Sequence, residues 1–194
     1  GRRLFGHTTP SELPNKAAFT LRAPIGVCAL ITPWNFPIAI PAWKIMPALI
    51  CGNTVVFKPS SDTPLCAARF VELLREAGVP AGVVNFVSGK GDIVGGALVK
   101  NNDVRAISFT GNRTTGEWIV KNAGVKKVGL ELGGKNPIIV MDDADLDLAL
   151  NGVLWGAFGT TGQRCTATSR VLVHKQVFKE FEHMIVSAAK KLKL

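Results

Sequence analysis

From Gly26 onward, short apolar runs alternate with longer amphipathic segments along the chain. The short runs are rich in Val, Ile and Phe and are bounded by Gly, Pro or polar residues, which is typical of buried strands. The longer segments repeat their apolar residues with a helical period. We predict strands at 27–32, 54–58, 83–87, 106–109, 128–132, 137–141 and 169–173. We predict helices at 39–51, 64–77, 92–99, 115–122 and 176–192.

This order of elements predicts the fold class. Strands that are joined through helices of this length form parallel crossovers. We therefore predict an α/β fold with a Rossmann-like, mainly parallel sheet that carries helices on both faces. Because ligands of such sheets bind at the carboxyl ends of the strands, we expect the chemistry of the chain at that edge.

Two stretches lie outside this pattern. Residues 1–22 are polar, contain Pro and lack a helical period, so they predict an extended arm. After Glu131, two glycines precede another strand and the acidic stretch 142–147, whose carboxylates suit the first turn of a following helix. We therefore predict a domain boundary near Gly133 and the start of a second α/β domain beyond it.

The composition narrows the class of protein. Apolar residues make up 47% of the 194 positions, which allows a substantial core. No apolar run approaches the roughly 18 residues of a membrane span. The first residues also lack the apolar run of a secretory signal. A cytoplasmic protein without a membrane partner is the expectation.

Neither the net charge nor the cysteine content indicates nucleic-acid binding, a disulfide framework or a metal site. A formal charge of +9 permits nucleic-acid binding, but the lysines are distributed, Tyr is absent and no nucleic-acid-binding motif accompanies them. We predict no nucleic-acid partner. The four cysteines are too few and too scattered for a disulfide framework, so we predict reduced thiols and no metal site.

Cys165 lies among glycines and small polar residues in the segment 159–166 rather than among aliphatic residues. An accessible thiolate attacks carbonyl carbon, and a neighbouring cation stabilises it. Arg164 is one candidate for that cation. A lone cysteine beside an arginine is more often structural, so this residue by itself leaves both interpretations open.

Two further residues are candidates only in combination with Cys165. Glu131 ends a predicted strand and is followed by glycines that allow close approach, which suits a general base but also an ordinary ion pair. Asn35 lies between two aromatic residues and two prolines, where a rigid amide can stabilise an oxyanion. An asparagine is equally common as a simple turn residue.

Two loops are candidates for nucleotide binding. Lys58 and the serines after Pro59 directly follow a predicted strand, where lysine and hydroxyl groups can hold ribose or phosphate. The glycine-containing loop 109–116 follows another strand and opens a helix, so its amides can receive a pyrophosphate. Its spacing differs from the usual dinucleotide-binding pattern, and a lone glycine pattern is weak evidence.

Taken together, these segments resemble the aldehyde dehydrogenase superfamily over nearly everything from about Leu21 to the end of the chain. Five motifs occur in the order of that family and at close to its separations. They are Pro33-Trp34-Asn35-Phe36-Pro37, Lys58-Pro59, Phe109-Thr110-Gly111, Leu130-Glu131-Leu132-Gly133-Gly134-Lys135 and Gly162-Gln163-Arg164-Cys165.

The resemblance implies an activity and the residues that carry it. The activity is the NAD(P)-dependent oxidation of a small-molecule aldehyde to a carboxylate through a thioester on Cys165. Glu131 is then the base that activates water for deacylation, and Asn35 with the Cys165 amide is the oxyanion site. Lys58 binds the adenosine ribose. The full coenzyme-binding set that the resemblance implies is Thr32, Pro33, Trp34, Lys58, Ser61, Gly91, Thr110, Gly111, Asn112, Gly116 and Leu132.

Within the resemblance, Glu131 bears on the branch of the family and Ser61 bears on the choice of coenzyme. The CoA-acylating relatives generally lack the base, so Glu131 favours the hydrolytic branch. Ser61 stands where members with a strong NAD preference often carry a glutamate that repels a 2′-phosphate. We therefore admit both NAD and NADP as cofactors. Semialdehydes and simple aliphatic aldehydes remain equally open as substrates.

The resemblance also implies an organisation. Family members are more than twice as long, and their later glutamate-phenylalanine motif is missing here, so we expect a fragment that is inactive alone. Residues 1–22 are then the bridging arm of a homo-oligomer, a dimer or tetramer. Residues 23–133 form the coenzyme-binding domain and 134–194 begin the catalytic domain. A non-catalytic nucleotide-binding module, the main rival, has no need for Asn35, Glu131 and Cys165 together.

Overall fold

The computed structural model describes residues 1–193, which form two compact units, Gly1–Glu131 and the residues from Leu132 onward. No helix in the described part of the chain is long and apolar enough to cross a membrane. Each unit has its own sheet and its own buried cluster of apolar side chains.

The first unit is built from strands and helices that alternate along the chain. The elements are β1 Thr8–Thr9, β2 Ala18–Phe19, β3 Val27–Ile31, α1 Ala39–Ile50, β4 Thr54–Lys58, α2 Pro64–Glu76, β5 Val84–Phe86, α3 Gly96–Lys100, β6 Val104–Gly111, α4 Arg113–Asn122 and β7 Lys127–Leu132. Five of the strands form one sheet with the order β5-β4-β3-β6-β7. In this sheet β3 pairs in parallel with β4 and β6, and β4 pairs in parallel with β5, as the alternation of strands and helices predicted.

Helices cover this sheet on both faces. Cys28 and Leu30 of β3 pack into a cluster with α1, β4 and α2, so the alternate residues Ala29 and Ile31 point to the opposite face. All four are buried, and α3 and α4 contact β6. A strand that is apolar on both sides needs this double cover, which is why its sequence is a continuous apolar run.

The sequence located most elements within a few residues, with two differences. The predicted helix 92–99 begins as a π-helical turn, Gly91–Gly95, before α3. Its glycines have low helix propensity, which disfavours a regular α-helical start. In the predicted extended arm, β1 and β2 form a short antiparallel ladder, and His7 and Thr20 are joined by two hydrogen bonds of 2.8 and 2.9 Å.

Asn53 fixes the entry into the sheet. Its buried Oδ1 accepts hydrogen bonds from the amides of Ile25 and Gly26 at 2.7 and 3.0 Å, and its Nδ2 donates to the carbonyl of Ala48 at 3.2 Å. The side chain therefore joins the segment before β3 to the end of α1.

We expect Asn53→Ala to destabilise the fold by roughly 1–3 kcal/mol, because two partly buried amides lose their acceptor. The measurement is urea unfolding of the full-length protein. Asn85→Ala is the control, since Asn85 is exposed and water can replace its bonds to Gly82 and Val55. Equal destabilisation by both substitutions would contradict the role of Asn53.

The second unit is a smaller α/β assembly. It consists of β8 Asn136–Val140, α5 Leu146–Phe158, β9 Thr168–Val173 and α6 Phe178–Ala189, with β8 and β9 paired in parallel. Val140, Val153 and Phe181 form its buried core. Asp145 caps α5 by accepting a hydrogen bond from the amide of Leu148 at 3.0 Å, so the acidic stretch begins the helix as predicted.

Candidate functional site

The strand order of the first unit creates a switch point between β3 and β6. From β3 the chain proceeds to β4 and β5 on one side, and it returns through β6 and β7 on the other. Ile31 at the end of β3 pairs with Lys58 of β4 and Phe109 of β6. The connections that leave these strand ends diverge, and that opening is where sheets of this class bind ligands.

Buried polar residues occupy the carboxyl ends of all three strands. Thr32, Lys58 and Thr110 are each less than a tenth exposed. The Thr32 amide donates to the carbonyl of Lys58 at 3.1 Å, which fixes the two strand ends together. Buried polar groups at one sheet edge are costly unless they have partners, so their grouping indicates a binding function.

The Lys58 ammonium is the charged group at this edge. It donates to the carbonyl of Pro59 at 2.7 Å, and burial lowers the pKa of Lys58. Among the described residues 1–193, the Pro59 carbonyl is the hydrogen-bond acceptor of the Lys58 ammonium, which has three N–H donors. Thr32 Oγ1 is also buried and has no hydrogen-bond partner in that same range. These unused donors fit the hydroxyl and phosphate oxygens of a nucleotide.

The start of α4 fits an anion. Asn112 caps this helix by accepting a hydrogen bond from the amide of Thr115 at 2.8 Å, and Gly116 is buried in the first turn. A Cβ at Gly111 would overlap the ring of Phe109, so the loop requires glycine there. Free amides and the helix dipole favour negative charge at such a helix start.

A third loop reaches the same side of the sheet. Ser61 is exposed and donates from Oγ to the carbonyl of Gly89 at 3.1 Å, which joins the loop after β4 to the loop after β5. Gly91 opens the π-helical turn. A Cβ at Gly95 in that turn would lie 3.9 Å from Lys58 Cδ, so the turn passes close to the lysine stem.

Lys44 interacts electrostatically with Glu131 and was not among the residues predicted for the site. Lys44 of α1 is half-buried and donates from Nζ to Ser108 Oγ at 2.7 Å. Burial lowers the pKa of Lys44, and the negative charge of Glu131 opposes that shift. Glu131 itself is exposed at the end of β7. The signal in the sequence was that Lys44 is the one charged residue of α1.

The predicted oxyanion segment precedes α1 at the carboxyl end of β3. Trp34 is 44% exposed, whereas Pro33 and Asn35 are half-buried. The amide of Ile40 donates to the carbonyl of Phe36 at 3.2 Å, so the turn leads directly into the helix. Asn35 therefore lies in the short connection between the end of β3 and the start of α1.

Cys165 belongs to the second unit and is exposed. It follows a short 3₁₀ turn, Gly159–Gly162, in which Thr160 and Thr161 both have a φ of 54°. Gly162 continues this left-handed stretch, and a Cβ there would lie 2.6 Å from the carbonyl oxygen of Ala157. β-branched residues rarely adopt such a conformation, and its presence is typical of a functional loop.

The structure thus groups most of the predicted residues of the first unit. Thr32, Lys58 and Thr110 share one sheet edge with the start of α4, and Glu131 lies near Lys44. Leu132 is half-buried at the end of β7. Exposure alone does not single out Cys165, because Cys66 on α2 is exposed too. The individual roles of these residues stay predictions.

Comparison with known proteins identifies close relatives. The model of the aldehyde dehydrogenase family matches residues 1–194. The chain is 49% identical over 193 residues to 2,5-dioxopentanoate dehydrogenase of Saccharolobus solfataricus, a match that covers 97% of this chain and 40% of that protein. The chain therefore spans about two fifths of the length of this curated relative.

Solved structures show the same likeness. Betaine aldehyde dehydrogenase of Staphylococcus aureus in complex with NAD+ has a TM-score of 0.94 and 42% identity, covering 97% of this chain and 38% of that one. An NADP-dependent enzyme of E. coli has a TM-score of 0.94 and 44% identity, covering 98% and 40%. The predicted α/β fold is confirmed by these structures.

Proposed function

Because the chain belongs to the aldehyde dehydrogenase family, we propose that a full-length protein containing it oxidises an aldehyde to a carboxylate with NAD+ or NADP+. The observation that carries the proposal is the switch point, where Thr32, Lys58 and Thr110 are buried polar residues at adjacent strand ends. Open α/β sheets bind nucleotides at such a point. The nicotinamide coenzyme bound there supplies the hydride acceptor.

Cys165 is the proposed nucleophile. Its thiolate forms a bond to the aldehyde carbon, and the carbonyl electron pair moves to oxygen, which gives a tetrahedral oxyanion. The amide of Asn35 and the main-chain N–H of Cys165 donate hydrogen bonds to that oxyanion. When the oxyanion re-forms the carbonyl and the hydride departs, Cys165 holds the acyl group as a thioester.

Glu131 is the proposed base for the second half of the reaction. Its carboxylate accepts a proton from water as the water oxygen attacks the thioester carbon. The carbon–sulfur bond then breaks, and the electron pair returns to Cys165 as thiolate. The negative charge of Glu131 acts on the half-buried Lys44 of α1.

The organisation of the longer protein is part of the proposal. Residues 23–133 form the coenzyme-binding domain and residues 134–194 begin the catalytic domain. Residues 1–22 form an arm that joins subunits of a homo-oligomer. The exposed Phe5, Phe19 and Leu21 support this assignment, because apolar side chains on an arm favour contact with another surface.

A burst experiment tests the activity. The full-length protein is mixed with each coenzyme and with 2,5-dioxopentanoate, betaine aldehyde or propanal, and absorbance at the nicotinamide band is recorded. We expect a rapid, stoichiometric release of reduced coenzyme followed by steady turnover with at least one aldehyde. A protein that binds coenzyme but gives neither phase would be a non-catalytic nucleotide-binding module.

We propose that the coenzyme site accepts NADP as well as NAD. Ser61 is an exposed hydroxyl bound to Gly89, and no carboxylate occupies its position in the loop. The nearby Asp62 carboxylate accepts a hydrogen bond from Ser60 at 3.0 Å. A 2′-phosphate near Ser61 gains a hydroxyl donor, and the Lys58 ammonium lies at the start of the same loop.

Ser61→Glu is expected to shift coenzyme preference toward NAD by on the order of 10- to 100-fold in the ratio of kcat/KM values. Two unit charges about 4 Å apart interact by about 4 kcal/mol at an effective dielectric of about 20, and screening reduces this. Ser61→Gln is the matched control, because it adds the same bulk without charge. A glutamine variant that shifts preference equally would show that bulk, not charge, decides.

A further inference from the structure

The side chain of Asn136 holds the main chain on both sides of residue 166. Asn136 is the first residue of β8, and its Nδ2 donates to the carbonyl oxygens of Cys165 at 2.7 Å and Ala167 at 3.1 Å. Both acceptors lie before Thr168, where β9 begins. The amide group therefore binds the segment that carries the thiol rather than the strand that follows it.

The reason for these bonds lies in the start of the small sheet. Pro137 has no N–H to donate, and the pairing of β8 with β9 shifts register between Asn136 and Pro137. The main-chain carbonyls of the residues just before β9 therefore need a hydrogen-bond donor other than a strand N–H. The Asn136 side chain supplies two N–H groups and satisfies two of them.

A second anchor lies on the other side of the thiol. Arg164 donates from Nη2 to the carbonyls of Trp155 at 2.6 Å and Gly156 at 3.2 Å, and its guanidinium lies 4.8 Å from the centre of the Trp155 ring. The guanidinium thus caps the C-terminal end of α5. Arg164 is a candidate cation for the thiolate from the sequence, and these contacts show that its guanidinium also holds the segment before Cys165 against α5.

Cys165 is therefore held between two anchors while its side chain remains exposed. The preceding residues Thr160 and Thr161 adopt a left-handed conformation, which is unfavourable for β-branched residues unless neighbouring contacts maintain it. The bonds of Arg164 and Asn136 hold the residues that follow this stretch, on both sides of Cys165. Their geometry fixes the direction of the peptide groups that flank the nucleophile.

We propose that Asn136 is a positioning residue for the Cys165 nucleophile, an inference that rests on the proposed function. It acts through the main chain, because its bonds reach carbonyl oxygens and not the thiol. A nucleophile reacts rapidly only when it is held close to the attack geometry, and a displacement of about 1 Å can cost about 100-fold in rate. Asn136 restricts that displacement.

The test compares Asn136→Asp with a matched control in the full-length protein. Aspartate has the shape of asparagine but presents an ionised oxygen to the two carbonyls. Arg170→Met is the control, because Arg170 also bonds side chain to main chain in this sheet, from Nε and Nη2 to the carbonyl of Lys135 at 3.0 and 2.7 Å. It removes a comparable contact without touching the Cys165 segment.

We expect N136D to lower the rate constant of the coenzyme burst at least about tenfold, with the KM for aldehyde changed by less than about twofold. R170M is expected to leave the burst rate within about twofold. A burst rate in N136D that equals the wild type would overturn the proposal. An equal loss in R170M would also overturn it, because the effect would then be general loosening of the sheet.

Amide hydrogen exchange separates this proposal from the proposed activity. In N136D we expect exchange at residues 165–168 to accelerate at least about tenfold, and in R170M we expect no such change there. If the wild type oxidises no aldehyde, the activity fails, and the exchange result still decides whether Asn136 holds the segment. Unchanged exchange in N136D refutes the anchor.

Asn136→Ser covers the case in which N136D does not fold. Serine keeps one donor, so we expect a burst rate below that of the wild type and faster exchange at residues 165–168, with both differences outside error. A serine variant that matches the wild type in both measurements would overturn the proposal.

Discussion

Replacing Cys165 with alanine is expected to abolish aldehyde oxidation by the full-length protein, with a loss of more than about 10³-fold in kcat and no burst of reduced coenzyme. The reason is that both halves of the proposed reaction pass through a bond to this sulfur, and removal of a covalent nucleophile leaves only binding and electrostatic contributions. Coenzyme affinity should be retained, because Thr32, Lys58 and the start of α4 are unaffected. The measurement is pre-steady-state absorbance together with coenzyme titration.

The other cysteines provide the controls for this substitution. Cys66 is also exposed, and Cys66→Ala removes an accessible thiol from the outside of α2. Cys28 is buried and burial raises the pKa of its thiol, which disfavours the thiolate. Cys66→Ala and Cys28→Ala should retain the burst. Substantial turnover by Cys165→Ala, or loss of the burst in Cys66→Ala, would contradict a thioester on Cys165.

Glu131→Gln is expected to preserve the burst but to lower steady turnover by roughly 10²- to 10⁴-fold. Acylation does not use the base, whereas attack of water on the thioester requires removal of a proton, and general base catalysis contributes on this scale. Glutamine keeps the size of the side chain and removes its ability to accept that proton. The measurement is one transient that records burst amplitude and steady rate together.

Two additions make this second experiment specific. Hydroxylamine attacks thioesters without a base, so its addition after the burst, to enzyme freed of the aldehyde with which it would form an oxime, should release a hydroxamate from Glu131→Gln. Glu76→Gln is the control, because Glu76 is an exposed carboxylate on α2 that pairs with Arg69 at 2.9 Å. A normal steady rate in Glu131→Gln would remove Glu131 as the base. Failure of hydroxylamine to release a hydroxamate would argue against an accumulated thioester.

The order of elements could be predicted from local pattern. The apolar run of β3 is buried on both sides, and its composition alone indicated a covered parallel strand. The glycines and acidic residues after Glu131 likewise predicted the helix that Asp145 begins. These features depend on residues close together in sequence, so periodicity and capping chemistry were sufficient. The family resemblance is confirmed by the family match over the whole chain.

Long-range neighbours could not be predicted in the same way. Lys44 appeared as a single charge in an apolar helix, and its position beside Ser108 and near Glu131 depends on the order of β3, β6 and β7. Asn136 was part of no predicted site, since its acceptors lie about thirty residues later in the chain. Arg164 was considered for its charge, but its guanidinium contacts the end of α5.

The sequence by itself determined most of the strands and helices, because these depend on side-chain chemistry and on spacing along the chain. Its motifs also carried the resemblance to the family, and that resemblance implied the candidate nucleophile, base and coenzyme loops. The tertiary structure decided which polar groups share an edge, so that Thr32, Lys58 and Thr110 meet at the ends of parallel strands. It also decided which side chains hold the Cys165 segment, because a hydrogen bond requires its two partners to lie within about 3 Å in space whatever their separation in the chain.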